Sequence, residues 1–356
     1  MNSPTTFARV TEALPAEIVF EVLPRDLSDY RAGNTGIPYA FFFDSGLPGP
    51  RVAINALTHG NEFCGMVAVC ALLDAGVRPE CGSLSLSFAN VAAYESFDIN
   101  APFDSRQLVH NLNRIWSQAE LTGSERSPEL DRAREMRSLF DGAHALLDIH
   151  STTQPVPPFF VLSAGQSSRA SIALADGIGF PAPQLIMPGG MQTGTPLIEY
   201  GPFSPIHAKG TTAFAPGAGG SVVVECGQHF AKSAGVLATQ VALSFMRHTG
   251  VLSSDGASKW SVRLTGIDAF AARPAKPQRY QLLSTHVIRT PQLRWARPLQ
   301  GMEVFARDEL IGTDGDFEIR SPCNDCTIFM PLAPYRTAIP GREGIYLTMP
   351  VASNAA

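Results

Sequence analysis

The sequence predicts an α/β fold with a mostly parallel or mixed central sheet flanked by helices, followed by a smaller all-β region. Five apolar runs have the length of strands, and several are apolar on both faces, which is typical of buried parallel strands. Helix-like stretches alternate with these runs, which predicts helices on both faces of the sheet. The runs are RVAINAL (51–57), LSLSFANV (84–91), ALLDIH (145–150), FFVLS (159–163) and SVVVEC (221–226).

Three stretches between or after these runs are predicted as helices. Residues 61–75 and 231–248 are rich in Ala, Val and Leu, and residues 128–141 follow Ser127 as a cap, with Pro128 in the first turn. Because these helices alternate with the five strands, we predict one α/β domain over residues 1–250.

The character of the chain changes near residue 250. Residues 249–260 (TGVLSSDGASKW) are predicted as a loop or linker, and short strand-like pieces separated by turns follow. This pattern indicates a small β domain over residues 251–356.

Composition excludes several classes of protein. The 356 residues are 45% hydrophobic and 17% charged, with net charge −5 and pI near 5.9, so a packed core is expected and a nucleic-acid surface is not. The sequence carries neither a signal-peptide pattern nor an apolar run of about 18 residues, so we expect no membrane span and a cytoplasmic location. The six cysteines then predict reduced thiols. Cys323 and Cys326 form a lone CxxC, which is weak evidence for zinc or redox use and leaves any role open.

Polar residues with metal-ligand chemistry follow two of the predicted strands. His59 comes directly after RVAINAL, Glu62 follows three residues later, and His150 ends ALLDIH. In open α/β sheets ligands bind at the carboxyl ends of strands, where these side chains would meet. Two imidazoles and one carboxylate are a ligand set of catalytic zinc sites. HxxE alone is common by chance, so the second strand-end histidine is what favours a metal site.

Two carboxylates extend this constellation. Asp148 would share the strand face of His150 and accept a proton from its imidazole, or else be an ordinary satisfied buried acid. Glu225, at the end of SVVVEC, would serve as proton carrier for hydrolysis by a metal-activated water, or else form a structural salt bridge.

The segment SRQLVHNLNRIW (105–116) contributes Arg106, Asn113 and Arg114. Guanidinium groups suit carboxylate recognition and oxyanion stabilisation, although for the segment in isolation a solvated charged loop is the favoured interpretation. No GxSxG predicts a serine hydrolase, and no GxGxxG predicts a dinucleotide-binding fold.

The ordered motifs HGNE, NLNR, DIHST and VVVECG resemble those of the succinylglutamate desuccinylase/aspartoacylase family, a group of carboxypeptidase-like zinc hydrolases. The resemblance covers roughly residues 45–250. The C-terminal region also looks like the small barrel-like β domain of many bacterial members, which narrows the active-site entrance. No lysine lies in a lipoylation-like turn, so no attached cofactor is expected.

The resemblance implies a role for each matching residue. His59, Glu62 and His150 match the ligands of one zinc ion per chain. Asn113 and Arg114 match the pair that binds the substrate's α-carboxylate. Arg106 matches the arginine that polarises the scissile carbonyl, and Glu225 matches the general acid/base.

The sequence also departs from the family pattern. Aspartoacylases have an arginine before the catalytic glutamate that holds the acyl group's own carboxylate, whereas HAKGTTAFAPGAGG (207–220) offers His207 and Lys209 but no Arg. A neutral acyl group such as acetyl is therefore favoured. Asn111 stands where many relatives have Asp.

The resulting hypothesis is a zinc-dependent deacylase of a small N-acyl amino acid or related N-acylated amine. A metallocarboxypeptidase acting on a C-terminal residue and a non-catalytic metal-binding relative remain alternatives. The family often associates, so the resemblance leaves a homo-oligomer open. The sequence decides neither the acyl group and amine nor zinc against another divalent ion.

Overall fold

The computed structural model describes residues 18–163, 168–188, 194–204, 220–271 and 276–351. Its strands are β1 Ala40–Asp44, β2 Arg51–Ala56, β3 Ser83–Phe88, β4 Ala145–Thr152, β5 Phe159–Ser163, β6 Pro183–Met187, β7 Ser221–Gln228, β8 Gln278–Val287, β9 Leu293–Trp295, β10 Val304–Phe305, β11 Leu310–Asp314, β12 Phe317–Arg320, β13 Cys326–Phe329 and β14 Glu343–Val351. Its helices are α1 Phe63–Asp74, α2 Val91–Glu95, α3 Gln118–Thr122, α4 Pro128–Phe140, α5 Ser168–Ile178, α6 Lys232–Thr249 and α7 Ser254–Thr265.

The predicted fold class is confirmed by a large mixed sheet with helices on both faces. The sheet has the strand order β1-β3-β2-β4-β7-β5-β6-β8-β14-β13-β10 in the part of the chain that the structure describes. Its centre is parallel, with β2 between β3 and β4 and with β7 beside β4, whereas β5 runs antiparallel to β7. Each of the five predicted apolar runs corresponds to a strand of this sheet, although β2 ends at Ala56 and β3 at Phe88, before the predicted runs end.

Alternating side chains of the central strands supply two apolar cores. On β2, Ile54 packs with α1 and α6 on one face, whereas Ala53 packs with α4 on the other. Helix α4 begins as predicted, because the Ser127 hydroxyl accepts the Leu130 N–H at 3.1 Å and Pro128 occupies the first turn. Burial on both faces explains why the central strands are nearly continuous apolar runs.

The loop predicted over residues 249–260 is wrong in its second half, where helix α7 begins. The Ser253 hydroxyl caps it by accepting the Gly256 N–H at 3.0 Å, and Gly266 ends it in the left-handed conformation. Its serines and Gly256 have weak helix propensity, so packing against α6 decides the local structure.

The C-terminal strands fall into two groups. Strands β8, β14, β13 and β10 continue the large sheet, because β8 pairs in parallel with β6, and β9, β11 and β12 form a smaller antiparallel sheet. The predicted division at residue 250 stays a prediction, and the large sheet runs across it.

Asp314 connects the small sheet to β8. Its buried carboxylate accepts hydrogen bonds from the Arg289 and Thr290 N–H groups, the Thr290 hydroxyl and His286 Nε2, all at 2.7–2.8 Å. Burial alone would raise the pKa of Asp314, but these hydrogen bonds outweigh it and lower the pKa to about 2.

We predict that Asp314→Asn lowers the free energy of unfolding at pH 7 by about 1–3 kcal/mol, because buried donors lose their acceptor. A carboxylate with a lowered pKa stabilises the fold above its ordinary pKa, and this contribution is lost as the pH falls through the folded-state value. The deficit of the variant should therefore be smaller at pH 3 than at pH 7 in urea unfolding. Asp316→Asn, at an exposed position nearby, is the control. An equal deficit at both pH values would contradict the role of the charge.

Candidate active site

The turn after β2 carries His59 to the carboxyl edge of the sheet. Leu57, fully buried, adopts a left-handed conformation (φ 56°) that turns the chain sharply out of the strand. Gly60 lies so close to neighbouring backbone that an added Cβ would be 2.4 Å from the Ser105 carbonyl oxygen. The turn closes with the Glu62 N–H donating to the His59 carbonyl, so Glu62 precedes α1 rather than lying within its first turn.

His150 reaches the same edge from the neighbouring strand. Strands β2 and β4 are parallel with Ala56 opposite Ile149, and the rings of His59 and His150 lie 5.0 Å apart. Glu62 lies between them, with Oε1 2.8 Å from His59 Nδ1 and Oε2 2.9 Å from His150 Nδ1. Ligand atoms of the three buried residues lie within 4.8 Å of one another, which is a geometry able to hold one metal ion.

The outer nitrogens of both imidazoles are held by acceptors. Asn111 Oδ1 accepts the Asn113 N–H at 2.9 Å. The same oxygen lies 2.9 Å from His59 Nε2 and can only accept, so Nε2 is the donor in this contact. His150 Nε2 donates to Asp148 at 2.8 Å. When each Nε2 carries the proton of a neutral ring, each Nδ1 presents a lone pair to the Glu62 carboxylate. A positive charge, either protons or a metal ion, is then needed between the two Nδ1 atoms and Glu62.

Electrostatics within this group favour an ionised Glu62. Burial alone would raise the pKa of Glu62, but His59 and His150 outweigh it and hold the pKa well below its ordinary value. Burial likewise opposes the charge of His150, but Asp148 and Glu62 raise its pKa well above the ordinary value. Burial and the Arg106 charge lower the pKa of His59 to about 4.

Asp148 is fixed by two polar groups that the sequence reading missed. Its Oδ1 accepts from Asn55 Nδ2 and from the Thr58 hydroxyl, each at 2.9 Å, and all three residues are buried. The signal for Asn55 was present, since it is a polar residue inside the apolar run RVAINAL. The network orients the Asp148 carboxylate toward His150.

The predicted polar loop lies over this site. Arg106 Nη1 is 3.0 Å from Glu62 Oε1, and Asn113 Oδ1 accepts the Leu197 N–H at 3.0 Å. Arg114 Nη2 lies 3.6 Å from Glu343 on β14. The buried Glu129 of α4 holds the loop from beneath by accepting N–H groups of residues 108–110. These contacts hold the loop against the rest of the protein, so the alternative of a purely solvated loop is not supported.

Glu225 lies on the strand next to His150, and their backbone positions are paired in the β4–β7 ladder. Its Oε2 is buried and has no hydrogen-bond partner within the described ranges. Burial raises the pKa of Glu225 to about 8. The alternative of a structural salt bridge finds no support, because none of the ion pairs among the described residues includes Glu225.

Two further residues near the site were missed. Ser151 donates its N–H to Glu62 at 3.2 Å, and its hydroxyl lies 2.8 Å from Nδ1 of the buried His229. Burial lowers the pKa of His229 to about 3, so this ring is neutral. Ser151 lies within the motif DIHST, and His229 follows VVVECG by two residues, which was their only signal in the sequence.

The C-terminal region contacts residues that are close in sequence to His150 and Arg106. The Tyr335 hydroxyl donates to the Thr153 carbonyl at 2.9 Å, and its ring stacks on Phe103 at 5.9 Å. The Arg336 guanidinium lies 4.5 Å from the centre of the same Phe103 ring. His207 and Lys209, in the segment where the sequence departs from the family pattern, lie outside the described residues. Cys323 and Cys326 are free thiols.

The fold and site define an α/β protein with a His–Glu–His group at the carboxyl edge of its sheet. Residues 48–194 match the family model of the succinylglutamate desuccinylase/aspartoacylase catalytic domain. This part of the chain is therefore similar to the catalytic domain of a family whose members are amide-cleaving deacylases. The matched range contains every predicted site residue except Glu225, and no match was found among curated proteins.

Solved structures share the fold at low sequence identity. A succinylglutamate desuccinylase/aspartoacylase from Rhodobacter sphaeroides superposes with TM-score 0.60 at 16% identity, covering 86% of this chain and 87% of that one. The ectoine utilization protein EutE (DoeB) from Ruegeria pomeroyi gives 0.59 at 14% identity, covering 88% and 89%. Succinylglutamate desuccinylase from Vibrio parahaemolyticus gives 0.57 at 15%, covering 85% and 82%. No helix in the described part of the chain has the length and apolarity to cross a membrane.

We predict that Asn111→Ala lowers the affinity for a divalent metal ion about 10- to 100-fold, because His59 loses the acceptor that fixes its tautomer. The affinity would be measured by competition with a chromophoric chelator. Asn100→Ala, at an exposed asparagine, is the control. Unchanged affinity in Asn111→Ala would contradict the positioning role of the Asn111 oxygen.

Proposed function

We propose that the protein is a zinc-dependent amidohydrolase that removes the acyl group from a small N-acyl amino acid or related N-acylated amine. One observation carries the proposal. Two imidazoles and a carboxylate lie within 4.8 Å of one another beside Glu225, whose buried Oε2 has no hydrogen-bond partner among the described residues. Such a combination suits a hydrolytic metal site better than a purely structural cluster.

The donor set supports one zinc ion per chain. Zinc takes imidazole nitrogen and carboxylate oxygen, and catalytic sites have three protein ligands and an open position. His59 and His150 present their Nδ1 atoms toward Glu62 while other groups hold the Nε2 atoms. When bound, zinc would supply Lewis acidity for the acyl carbonyl and lower the pKa of a water molecule.

The chain's own residues would complete the reaction. Glu225 takes a proton from the attacking water and delivers it to the leaving nitrogen, and its raised pKa suits both transfers. Arg106 stabilises negative charge on the acyl oxygen, while Asn113 and Arg114 bind the substrate's carboxylate. Water and the amide thus yield a carboxylate and an amine. The absence of Arg from residues 207–220 favours a neutral acyl group such as acetyl.

Zinc content is the first test of the proposal. Elemental analysis of the purified wild type should find about one zinc per chain, and His59→Ala should lose most of it because one of three ligands is gone. His144→Ala is the control, since His144 lies just before β4, at the opposite end of that strand from the site. A wild type that takes up no metal even when zinc is supplied would overturn the zinc site.

We predict that Glu225→Gln retains zinc but loses about 10²- to 10⁴-fold in kcat, because it removes the proton carrier. Glu135→Gln, on the exposed side of α4, is the control. Unchanged turnover in Glu225→Gln would refute the assigned role.

The substrate class is tested with two compounds, an N-acetyl amino acid and a blocked dipeptide. Hydrolysis of the N-acetyl amino acid supports the deacylase. Cleavage of the dipeptide alone would overturn it in favour of a metallocarboxypeptidase.

A further inference from the structure

The carboxylate-binding side of the site contains a carboxylate of the protein itself. Arg114 Nη2 lies 3.6 Å from Glu343 Oε2, and their side chains are 17% and 27% exposed. Glu343 is the first residue of β14, more than two hundred positions away in the sequence. The pair is partly withdrawn from water, so its electrostatic effect on a ligand is larger than that of a surface ion pair.

The position of Glu343 is built into the fold. The Tyr346 hydroxyl donates to Glu343 Oε2 at 2.5 Å, and the Tyr346 ring is buried in an apolar cluster with Phe159 and Phe329. Burial raises the pKa of Tyr346, and the charges of Glu343, Arg114 and Glu225 act on the same hydroxyl. Tyr346 therefore holds the Glu343 carboxylate beside Arg114.

Arg114 already has a carboxylate of the protein as a partner, because it faces Glu343, whereas Arg106 faces Glu62. A substrate carboxylate that binds Arg114 then shares one guanidinium with Glu343, so the three groups together carry one negative charge in excess. A ligand that carries a carboxylate and a cationic group would satisfy Arg114 and Glu343 together, whereas a second carboxylate would worsen the repulsion.

We propose that Glu343 is a specificity-determining residue that selects N-acylated amino acids carrying a second, cationic group, such as the free ammonium of an N-acyl diamino acid. The inference rests on the proposed deacylase function and names its substrate class. Arg114 takes the α-carboxylate, Glu343 takes the ammonium, and Tyr346 is a positioning residue for Glu343. The same arrangement disfavours acyl derivatives of acidic amino acids.

The test compares three substrates of similar length on the zinc-loaded enzyme: Nα-acetylornithine, N-acetylnorvaline and N-acetylglutamate. The wild type should prefer acetylornithine in kcat/KM by about 10-fold or more, the scale of one partly shielded charge pair. Glu343→Gln keeps the shape and the bond to Tyr346, and should lose that preference by lowering kcat/KM for acetylornithine, while kcat/KM for acetylnorvaline, relieved of the neighbouring negative charge, should not fall. Tyr346→Phe should shift selectivity the same way but less, and Glu318→Gln, exposed on β12, should not shift it.

An equal change for all three substrates in Glu343→Gln would overturn the inference and assign Glu343 a structural role. A wild type that prefers acetylglutamate would also overturn it. Folding of each variant is checked by its thermal midpoint, so a loss of selectivity is not confused with unfolding.

Failure of the proposed function is separated by a binding measurement. Calorimetry with the three N-acetyl compounds on Glu225→Gln reports charge selection without turnover. If the wild type hydrolyses no N-acetyl compound but acetylornithine binds tighter than acetylnorvaline in a way that needs Glu343, the deacylase proposal fails and the charge selection stands. If turnover occurs but neither kinetics nor binding discriminates by charge, the deacylase stands and the inference fails.

Discussion

The organisation of the site depends on one buried carboxylate between two imidazoles. Glu62 faces the Nδ1 atoms of His59 and His150, and all three side chains are almost wholly removed from water. Such an arrangement is costly unless positive charge compensates the carboxylate and the outer ring nitrogens are held. Asn111 and Asp148 provide that second condition. The surrounding polar network therefore lowers the free-energy cost of a charged cluster in a region with little solvent.

Parallel strand pairing brings these groups together. Strands β2, β4 and β7 run in one direction, so the end of each strand delivers its last residues to the same edge. The β4–β7 register puts Glu225 beside His150, whereas the left-handed Leu57 turns the chain so that His59 returns over the strand ends. A one-residue shift in either ladder would point His150 or Glu225 to the opposite face of the sheet.

This logic decides what the sequence could predict. The strand-end histidines, Glu62 and Glu225 were predictable because apolar runs mark the strands and parallel topology makes their ends converge. The donors Asn55 and Thr58 and the acceptor Asn111 were not, since their roles depend on side-chain directions that periodicity does not specify. Helix α7 was missed because tertiary packing overrides weak propensity. The fold class was fully predictable, whereas the chain's own carboxylate in the site was not.

The position of Glu343 could not be predicted from local sequence patterns. It becomes part of the site only because β8 pairs with β6 and so extends the catalytic sheet as far as β14. The sheet thus brings a carboxylate from the C-terminal region to Arg114, a residue of the polar loop. The metal-ligand residues and Arg114 thus come from the first half of the sequence, whereas the carboxylate that faces Arg114 comes from the C-terminal region. Because Glu343 lies on a different segment from the ligands, substrate choice can change at this position without changing a residue of the buried carboxylate cluster.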